Sequence, residues 1–481
     1  KATFMKMKTV RDWKNCEAQR EAKSRWVGQG CNHTDVDGHQ VVNIEKGLYT
    51  DPSSLEETKL TFALGAKSTP VGKLKASQRD RDGAYLKEKL GGDDVWLRLD
   101  KEIQRIVPGA ERLRKPVVKA LSAIYGITRA GHDHERGRNA KLYKCGWRMV
   151  KGSRNIFVNT FGGYKLFMCV YVDDFLLVGH EAYHDRIWKA LECMVWKTVI
   201  PTKYLGMNYK VSVIVVNGKR VHQIAIAQLE YADFVVAEFK RMTKTLKTKF
   251  AKTPANEWSV YEQDELIMPG VASENTIRRM LGLFGYLARG TRPDILYQTN
   301  RLARLVLKWT IACDHEMSRC ARYVARTSKY GLVYVIDPDE PLQLVFDLDA
   351  DHGNDKLDRR SVSGMTFMLK GIRTRAYIGG HSRAQKVAER SSGGSECNAL
   401  SAAAGVFAKY DDIVNDAQSK DEQQTTIARS DSSVAIAAVE NGYSKQMYYL
   451  AKHAGTELAF LHDLFFPVHR RPWLLLKKVP T

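Results

Sequence analysis

The sequence predicts a mixed α/β protein of several domains, with α+β and α/β parts. The chain has 481 residues, of which 44% are hydrophobic, and this suffices for roughly two or three domains with cores of their own. Apolar runs of strand length flank residues 171–174. Apolar residues recur at helical spacing in 277–287 and 295–307, and they alternate as in a strand in 342–349.

Residues 166–179 predict a β-hairpin, because two apolar runs flank the tetrapeptide Tyr171-Val172-Asp173-Asp174. Neighbouring carboxylates in apolar surroundings are costly unless a cation neutralises them. Divalent metal ions do this, and they can also drive phosphoryl transfer. An exposed Asp-Asp turn is the alternative, and the four residues alone leave both interpretations open.

The later segments predict a helical part followed by a second acidic site. The pattern in 256–338 is mainly helical. The strand predicted at 342–349 ends in the acids Asp347 and Asp349, and a further strand ends near Asp431, where a helix begins. Each acid alone is more typical of a cap or a solvated surface, so only their combination indicates a site.

The charge balance favours a polyanionic partner. The chain carries 75 Lys and Arg against 54 Asp and Glu, a net charge of +21, and a pI near 9.5. No stretch approaches the roughly 20 apolar residues of a membrane span, so nucleic acid is favoured over a membrane. Eight cysteines without a Cys-x-x-Cys pair disfavour structural zinc and indicate reduced thiols of an intracellular protein. The chain begins at Lys1 rather than Met, which suggests a fragment or a processed product.

An ordered set of motifs resembles the reverse transcriptase and ribonuclease H region of the copia-type LTR retrotransposon Pol polyprotein. Asp80 to Tyr85 resembles its Asp-x-x-x-Ala-aromatic motif, which precedes a Tyr-Val-Asp-Asp hairpin. Further similar segments occur before and after this motif, in the family's order, at 23–30, 120–130, 203–207, 291–295, 330–334, 349–364, 391–400 and 430–436.

This resemblance implies a domain organisation. Residues 1–255 would form the fingers and palm of a reverse transcriptase with the start of its thumb. Residues 256–338 would form a helical thumb or connection, and 339–481 a ribonuclease H-like domain, truncated at its C-terminus because a fourth carboxylate of the family lies beyond the strand at 473–481. The chain is therefore expected to cleave RNA in hybrids poorly.

By resemblance, Asp80, Asp173 and Asp174 are the palm carboxylates and hold two Mg²⁺ or Mn²⁺ ions. Asp80 and Asp173 would be the direct ligands. Asp174 would point away if the strand continues, because side chains alternate along a strand. Asp82 is the alternative to Asp80, unless it is only a solvated turn residue.

The resemblance also implies nucleotide-binding residues. Lys23 and Arg25 would meet the incoming triphosphate, unless they form a plain basic strand. Tyr85 would pack against the sugar and exclude a 2′-hydroxyl, unless it is an ordinary core tyrosine. Arg129 stands where the family has a glutamine that seats the nucleotide, and Gln29 replaces a basic residue. Both departures are compatible with a decayed copy.

In the last domain the resemblance implies that Asp349, Glu396 and Asp431 bind the metal ions that cleave the RNA strand of a hybrid. Gly394 replaces the family's first glutamate in this segment. A competing motif, His180-Glu181-Ala182-Tyr183-His184, matches the zinc metalloprotease pattern, but a polar start to a helix predicted over 186–194 is favoured. The segment 132–134, His-Asp-His, is expected to be a solvated surface cluster.

The function implied is RNA-directed DNA polymerase, with DNA-directed activity and linked ribonuclease H. Its partners would be an RNA template, a DNA primer, RNA–DNA hybrid, deoxynucleoside triphosphates and other Pol parts such as the integrase, and no membrane. The expected location is a cytoplasmic virus-like particle, with a nuclear phase left open. The alternative is a catalytically dead remnant that binds nucleic acid, and primer extension on an RNA template would distinguish it from an active polymerase.

Overall fold

The computed structural model describes residues 2–14, 21–41, 48, 50, 52–194, 196–197, 202–244, 250–353, 359–467 and 473–479. The strands in these ranges are β1 (Ala2–Lys14), β2 (Glu21–Thr34), β3 (Leu74–Arg81), β4 (Asp94–Arg98), β5 (Val117–Lys119), β6 (Arg148–Met149), β7 (Ile156–Phe161), β8 (Tyr164–Tyr171), β9 (Asp174–His180), β10 (Trp196–Lys197), β11 (Lys203–Tyr204), β12 (Met207–Val216), β13 (Lys219–Ala227), β14 (Leu332–Ile336), β15 (Gln343–Ala350), β16 (Arg360–Lys370), β17 (Arg375–Ala388), β18 (Thr426–Ser430) and β19 (Leu474–Lys478).

The helices in these ranges are α1 (Leu55–Lys67), α2 (Lys101–Gln104), α3 (Ala130–Lys144), α4 (His184–Ala190), α5 (Leu229–Thr243), α6 (Gln263–Ile267), α7 (Glu274–Gly290), α8 (Leu296–Ala303), α9 (Ile311–Arg326), α10 (Ser392–Ala417), α11 (Ser433–Glu440), α12 (Leu450–His453) and α13 (Leu458–Phe465). The predicted mixture of helices and strands is confirmed. The helical pattern at 295–307 is realised only in part, because α8 ends at Ala303.

The first sheet has the order β2-β1-β4-β5 and carries the basic strand of the N-terminal part. β1 and β2 form a long antiparallel pair, and β1 runs parallel to β4. The Gly28 amide of β2 donates to the Tyr125 carbonyl at 2.7 Å. This contact joins the segments 23–30 and 120–130, which lie far apart in the sequence.

The second sheet has the order β10-β3-β9-β8-β7-β6, so β3 lies directly beside the acidic hairpin. Its apolar side chains alternate between two cores. Phe167 and Cys169 of β8 face α1, whereas Met168 and Val170 face the core built with α3 and α4. Both faces are therefore covered, which explains why the flanks of the hairpin read as continuous apolar runs.

The third sheet has the order β11-β12-β13-β14-β17-β16-β15-β18-β19, and it continues from the predicted palm region into the predicted ribonuclease H-like region. The joint is the β14–β17 pair, with Val335 opposite Arg375. Helices α5, α7, α8 and α9 share a separate core that includes Val235, Phe239 and Phe284. Because α5 belongs to this core, the helical unit begins before residue 255. The domain boundaries themselves stay a prediction.

Candidate active sites

The acidic hairpin turns through two residues. β8 ends at Tyr171 and β9 begins at Asp174, so Val172 and Asp173 form the turn. Val172 has φ +54°, a conformation that β-branched residues rarely adopt. Such strain costs about 1–3 kcal/mol and persists only where the surrounding structure enforces it. The hairpin tip is therefore a strained acidic turn, held by its neighbours.

The structure brings the three predicted palm acids to one end of the second sheet. Asp80 lies opposite Asp174 in the β3–β9 pair, and the Arg81 amide donates to the Asp173 carbonyl at 2.8 Å. Residues directly opposite in an antiparallel pair share a face, so Asp80 and Asp174 lie side by side. The condition under which Asp174 would point away, a strand that continues through Asp173, is not met, because Asp173 lies in the turn at the hairpin tip. Which of the two hairpin acids is the more direct ligand stays a prediction.

A lysine that the sequence did not single out lies beside these acids. Lys197 of β10 is opposite Asp80, and its ammonium group lies 2.8 Å from the Asp82 carboxylate. This hydrogen bond lowers the pKa of Asp82. Asp82, the alternative to Asp80, is thus engaged by a cation of the protein itself. No local motif marks Lys197, because only strand pairing brings it here.

The predicted sugar-contacting tyrosine belongs to a stack of rings. Tyr85 lies 4.6 Å from Tyr125 and 4.8 Å from His134, with the His134 ring inclined by only 20°. The Arg25 guanidinium lies over Tyr125 at 5.4 Å. The stack therefore links Arg25 to Tyr85, whereas Lys23 lies further along β2, opposite Asp12.

Arg129 is held inside the protein. It precedes α3, and its Nε donates to the Asp133 carboxylate at 2.8 Å. A Cβ on Gly92 would come within 1.8 Å of its guanidinium, so the side chain lies against that turn. Asp133 also accepts from the Gly91 amide at 2.9 Å. Arg129 thus fastens α3 to the 91–92 turn, and its predicted contact with a nucleotide is not tested.

The expectation of a solvated cluster at 132–134 is wrong for two of its members. Asp133 and His134 are each only 2% exposed. Burial lowers the pKa of His134 to about 3, and the charges of Arg138, Arg81 and Lys141 act in the same direction, so the imidazole is neutral. The ion pair of Asp133 with Arg129 is local, but the Gly91 amide and the Tyr85 ring that also cover this segment come from distant parts of the chain, so the local sequence looked solvated.

The second acidic site is a compact cluster. Asp349, Glu396 and Asp431 each place one carboxylate oxygen within 4.8 Å of the others. Asp349 lies near the end of β15 and Asp431 follows β18, and these strands are parallel, so both ends reach the same edge of the sheet. Glu396 lies in the first turns of α10, whose N-cap is Ser391. Three segments that are far apart in the sequence thus bring these carboxylates together, and their role as metal ligands stays a prediction.

Electrostatics in this cluster favour a bound cation. Glu396 is 4% exposed and accepts from the Ala350 amide at 3.0 Å. Burial raises the pKa of Glu396 to about 7, and the charges of Asp349 and Asp431 add to this despite the opposing hydrogen bond. Oxygen donors of this kind suit hard divalent cations such as Mg²⁺ or Mn²⁺. The donor set therefore fits such an ion.

Behind this cluster the structure shows a carboxylate that the sequence did not indicate. Glu389 accepts from the Asn398 side chain of α10 at 2.6 Å. A Cβ on Gly394 would lie 2.9 Å from the Glu389 carboxylate and 3.0 Å from the Tyr449 hydroxyl. The space beside Gly394 is therefore already filled, and a glutamate there would require its neighbours to move.

The palm acids do not form a comparably tight group. Among the described residues, one other set of potential ligands lies within 4.8 Å, namely Asp35, Asp37 and His39. Asp35 accepts from the backbone amides of residues 37 and 39, which explains this set as a turn. Asp80, Asp173 and Asp174 are close in the sheet without such convergence.

The zinc alternative lacks the helix that it needs. α4 begins at His184, whereas His180 ends β9, so the two histidines do not share a helical face. His184 is buried, and its Nδ1 lies 2.6 Å from the Ser77 hydroxyl. A polar start to the helix, the favoured interpretation, agrees with this, although α4 begins two residues earlier than expected and ends at Ala190. Over the described ranges, no helix combines the length and apolarity needed to cross a bilayer.

Comparisons with known proteins place this arrangement in context. No protein-family model matches the chain. The chain is 27% identical over 325 residues to the retrovirus-related Pol polyprotein from transposon RE1 of Arabidopsis thaliana, covering 66% of this chain and 20% of the relative. It is 21% identical over 380 residues to the transposon Ty1-DR5 Gag-Pol polyprotein of Saccharomyces cerevisiae, covering 75% of this chain and 21% of the relative. The chain thus spans about a fifth of the relatives' length.

The fold also has a solved counterpart. The foamy viral protease-reverse transcriptase, in complex with RNA/DNA hybrid, matches with a TM-score of 0.50 and 13% identity, covering 95% of this chain and 49% of that one. At this identity the match concerns the fold. Together these findings confirm the predicted relationship and fold class. The chain is thus similar to part of the Pol polyproteins of copia-type retrotransposons, and its fold matches that of a solved reverse transcriptase.

Proposed function

We propose that the chain is an RNA-directed DNA polymerase, able also to copy DNA, with a linked ribonuclease H that cleaves RNA in RNA–DNA hybrids. One observation carries the proposal. A single chain holds two acidic sites at the ends of two different sheets, and each combines residues that lie far apart in the sequence. The homology to Pol polyproteins and the reverse transcriptase fold support it.

In the polymerase site, Asp80, Asp173 and Asp174 would hold Mg²⁺ or Mn²⁺. Such ions would activate the primer hydroxyl and stabilise the leaving pyrophosphate. Tyr85 would contact the sugar of the incoming nucleotide, because the ring stack fixes it close enough to the hairpin for the charge of Asp173 to act on its hydroxyl. Arg25 and Lys23 would attract the triphosphate from β2.

In the ribonuclease H site, Asp349, Glu396 and Asp431 would hold divalent ions. Glu396 is the residue most affected by their absence, because its carboxylate is buried beside two like charges. The bound cation would lower the pKa of Glu396 and let all three acids ionise together. The Ala350 amide donates to Oε1 of Glu396 at 3.0 Å, and the Ser430 hydroxyl lies 3.5 Å from Oε2, so both oxygens of this carboxylate are positioned by the protein.

The proposed partners are an RNA template, a DNA primer, RNA–DNA hybrid and deoxynucleoside triphosphates. Other parts of a Pol polyprotein, such as an integrase, would belong to the same assembly, in a cytoplasmic virus-like particle with a nuclear phase left open. The net charge of +21 supports a polyanionic partner, because dispersed cations dominate affinity for phosphate backbones.

Primer extension on an RNA template tests the polymerase. We expect Asp173→Asn to abolish synthesis and to leave hybrid affinity intact, because affinity comes from dispersed cations and catalysis from the acids. Asp37→Asn, on an exposed turn, is the matched control and should behave as wild type. Synthesis by Asp173→Asn at the wild-type rate would refute the assignment.

A second candidate function is hybrid binding without synthesis, as in a decayed copy. The observation that favours it is the Arg129–Asp133 pair, which occupies the side chain at a position where the family has glutamine. Wild-type protein that binds hybrid but extends no primer would select this alternative.

A further inference from the structure

One tyrosine bridges both strands of the acidic hairpin from outside the second sheet. Tyr204 lies in β11 and is 2% exposed. Its hydroxyl lies 3.2 Å from the Cys169 carbonyl of β8 and 3.2 Å from the Asp174 carbonyl of β9. A single phenol thus contacts the backbone on both sides of the strained turn. Strained turns persist only where neighbours hold them, and Tyr204 is such a neighbour.

The residues after Tyr204 form a tight turn that is hydrogen-bonded to helix α7. Leu205 and Gly206 have φ +46° and +72° and connect β11 to β12. The Tyr286 hydroxyl of α7 donates to the Leu205 carbonyl at 2.8 Å. A Cβ on Gly206 would lie 3.2 Å from the same hydroxyl, so a larger residue would crowd Tyr286 in addition to being strained by the positive φ.

A second helix holds the same turn from its flanks. Glu230, in the first turn of α5, lies 3.6 Å from the Lys203 ammonium group and accepts from the Asn208 side chain at 3.2 Å. Helices α5 and α7 pack into one core, so both contacts on the turn come from a single packed unit. A displacement of these helices therefore reaches the turn through two contacts and the hairpin through Tyr204.

We propose that Tyr204 and Tyr286 are positioning residues, which couple the helices α5–α9 to the acidic hairpin, so that nucleic acid bound by the helices sets the position of Asp173 and Asp174. This rests on the proposed polymerase function, with the duplex held against a helical unit that exposes cations such as Arg278, Arg279 and Lys308. Neither tyrosine touches the reacting atoms. The path runs from Tyr286 through the 205–206 turn to Tyr204 and then to the hairpin backbone.

Single-turnover primer extension tests the coupling. We expect Tyr204→Phe, which keeps the ring, to lower the maximum rate roughly 10- to 100-fold, because small displacements of catalytic groups cost this much. Hybrid affinity should be unchanged. Tyr286→Phe should lower the rate less. Because the two contacts act in series, the double variant should be no slower than Tyr204→Phe alone.

Tyr334→Phe is the matched control. Tyr334 is also a buried tyrosine, and its hydroxyl donates to a backbone carbonyl, that of Tyr377, at 2.5 Å, in the third sheet away from the hairpin. This variant should extend primers at the wild-type rate. Full-rate synthesis by Tyr204→Phe, or independent losses that multiply in the double variant, would overturn the proposal.

Hydrogen exchange gives a readout that does not depend on catalysis. Hybrid binding should slow amide exchange in a peptide spanning 166–180 in wild type and in Tyr334→Phe, to a smaller extent in Tyr286→Phe, and not in Tyr204→Phe. Equal protection in all four proteins would overturn the coupling. If no protein extends primers while exchange differs as expected, the polymerase proposal fails and the coupling stands.

Discussion

Tyr85 is the residue whose predicted role depends most on its immediate contacts. Rings on two sides confine it, since Tyr125 lies 4.6 Å and His134 4.8 Å away. A ring held in this way can act as a fixed wall, because stacked aromatic side chains lose little further freedom when a ligand binds. The alternative, an ordinary core tyrosine, predicts no effect on sugar selection.

Sugar discrimination by Tyr85 variants separates these roles. Tyr85→Ala should raise incorporation of ribonucleotides relative to deoxyribonucleotides by roughly tenfold or more, because removing the ring opens space for a 2′-hydroxyl. Tyr85→Phe keeps the ring and should retain the discrimination. The measurement is the ratio of kcat/KM for the two nucleotides. Unchanged discrimination in Tyr85→Ala would show that the residue only packs.

Glu396 makes stability depend on pH in metal-free protein. Its folded pKa is about 7 against an unfolded value of 4.5, so the folded state holds the proton more tightly. The contribution of Glu396 to the free energy of unfolding is therefore fully present below about pH 4.5. As the pH rises to 7, the free energy of unfolding of wild type falls by about 3 kcal/mol relative to that of Glu396→Gln. Denaturant unfolding at both pH values measures this. Adding Mg²⁺ at pH 7 should restore the stability of wild type but not that of Glu396→Gln. If the difference in unfolding free energy between the two proteins does not change with pH, the raised pKa of Glu396 is contradicted.

At the scale of elements, glycines clamp the basic strand β2 to the turn before α3. Gly126 has φ +89°, and a Cβ there would lie 1.9 Å from the Gly28 carbonyl. A Cβ on Gly30 would likewise lie 2.2 Å from the Gly126 carbonyl. The two backbones approach so closely that side chains are excluded on both sides. This contact positions Arg25 over Tyr125.

Substitution at Gly126 tests the clamp. Gly126→Ala should destabilise the protein by about 2 kcal/mol or more, because it adds a clash to an unfavourable left-handed conformation. Gly109→Ala is the control, since Gly109 has φ +81° with no atom within 4 Å of its Cβ position. Urea unfolding measures the loss of unfolding free energy in each variant, and the difference between the two losses is the cost of the clash. Equal losses would mean that the clamp contributes nothing beyond backbone strain.

At the scale of the whole molecule, α1 lies where three parts meet. Lys59 of α1 is buried, and its ammonium group donates to the Arg289 carbonyl at the end of α7 at 2.9 Å. It also lies over the Tyr377 ring of β17 at 5.4 Å. The palm-like sheet, the helical unit and the long sheet thus share one buried cation. Burial lowers the pKa of Lys59 to about 8, although Glu56 opposes this.

This cation predicts a rise of stability in alkaline solution. The unfolded pKa of lysine is 10.5 and the folded value is about 8, so the folded state releases its proton first. Stability should therefore increase from pH 8 to 10.5, by about 3 kcal/mol relative to Lys59→Met. Unfolding free energies of wild type and variant at both pH values measure this. Lys151→Met is the control, at an exposed lysine paired with Asp412. This variant keeps Lys59, so the difference between its unfolding free energy and that of wild type should not change between pH 8 and 10.5. A constant difference between wild type and Lys59→Met would refute the prediction.

The local sequence determined the hairpin at 166–179, the helix at 277–287 and the strand at 342–349, because the periods of apolar residues depend only on near neighbours. The order of the motifs determined the relationship to copia-type Pol polyproteins, which the comparisons confirm. The acids of both sites were identified in the same way, with roles that stay predictions.

Only the tertiary structure decided which distant residues meet. Asp80 lies opposite Asp174, Lys197 reaches Asp82, and Tyr204 touches the hairpin backbone, and none of these contacts leaves a local pattern. The burial of His134 was mispredicted for the same reason, because its surroundings come from elsewhere in the chain. Strand pairing and core packing here join residues that lie between 30 and 115 positions apart in the chain. Their free energy depends on the complete fold, so a window of sequence could indicate each element but not the partner against which it packs.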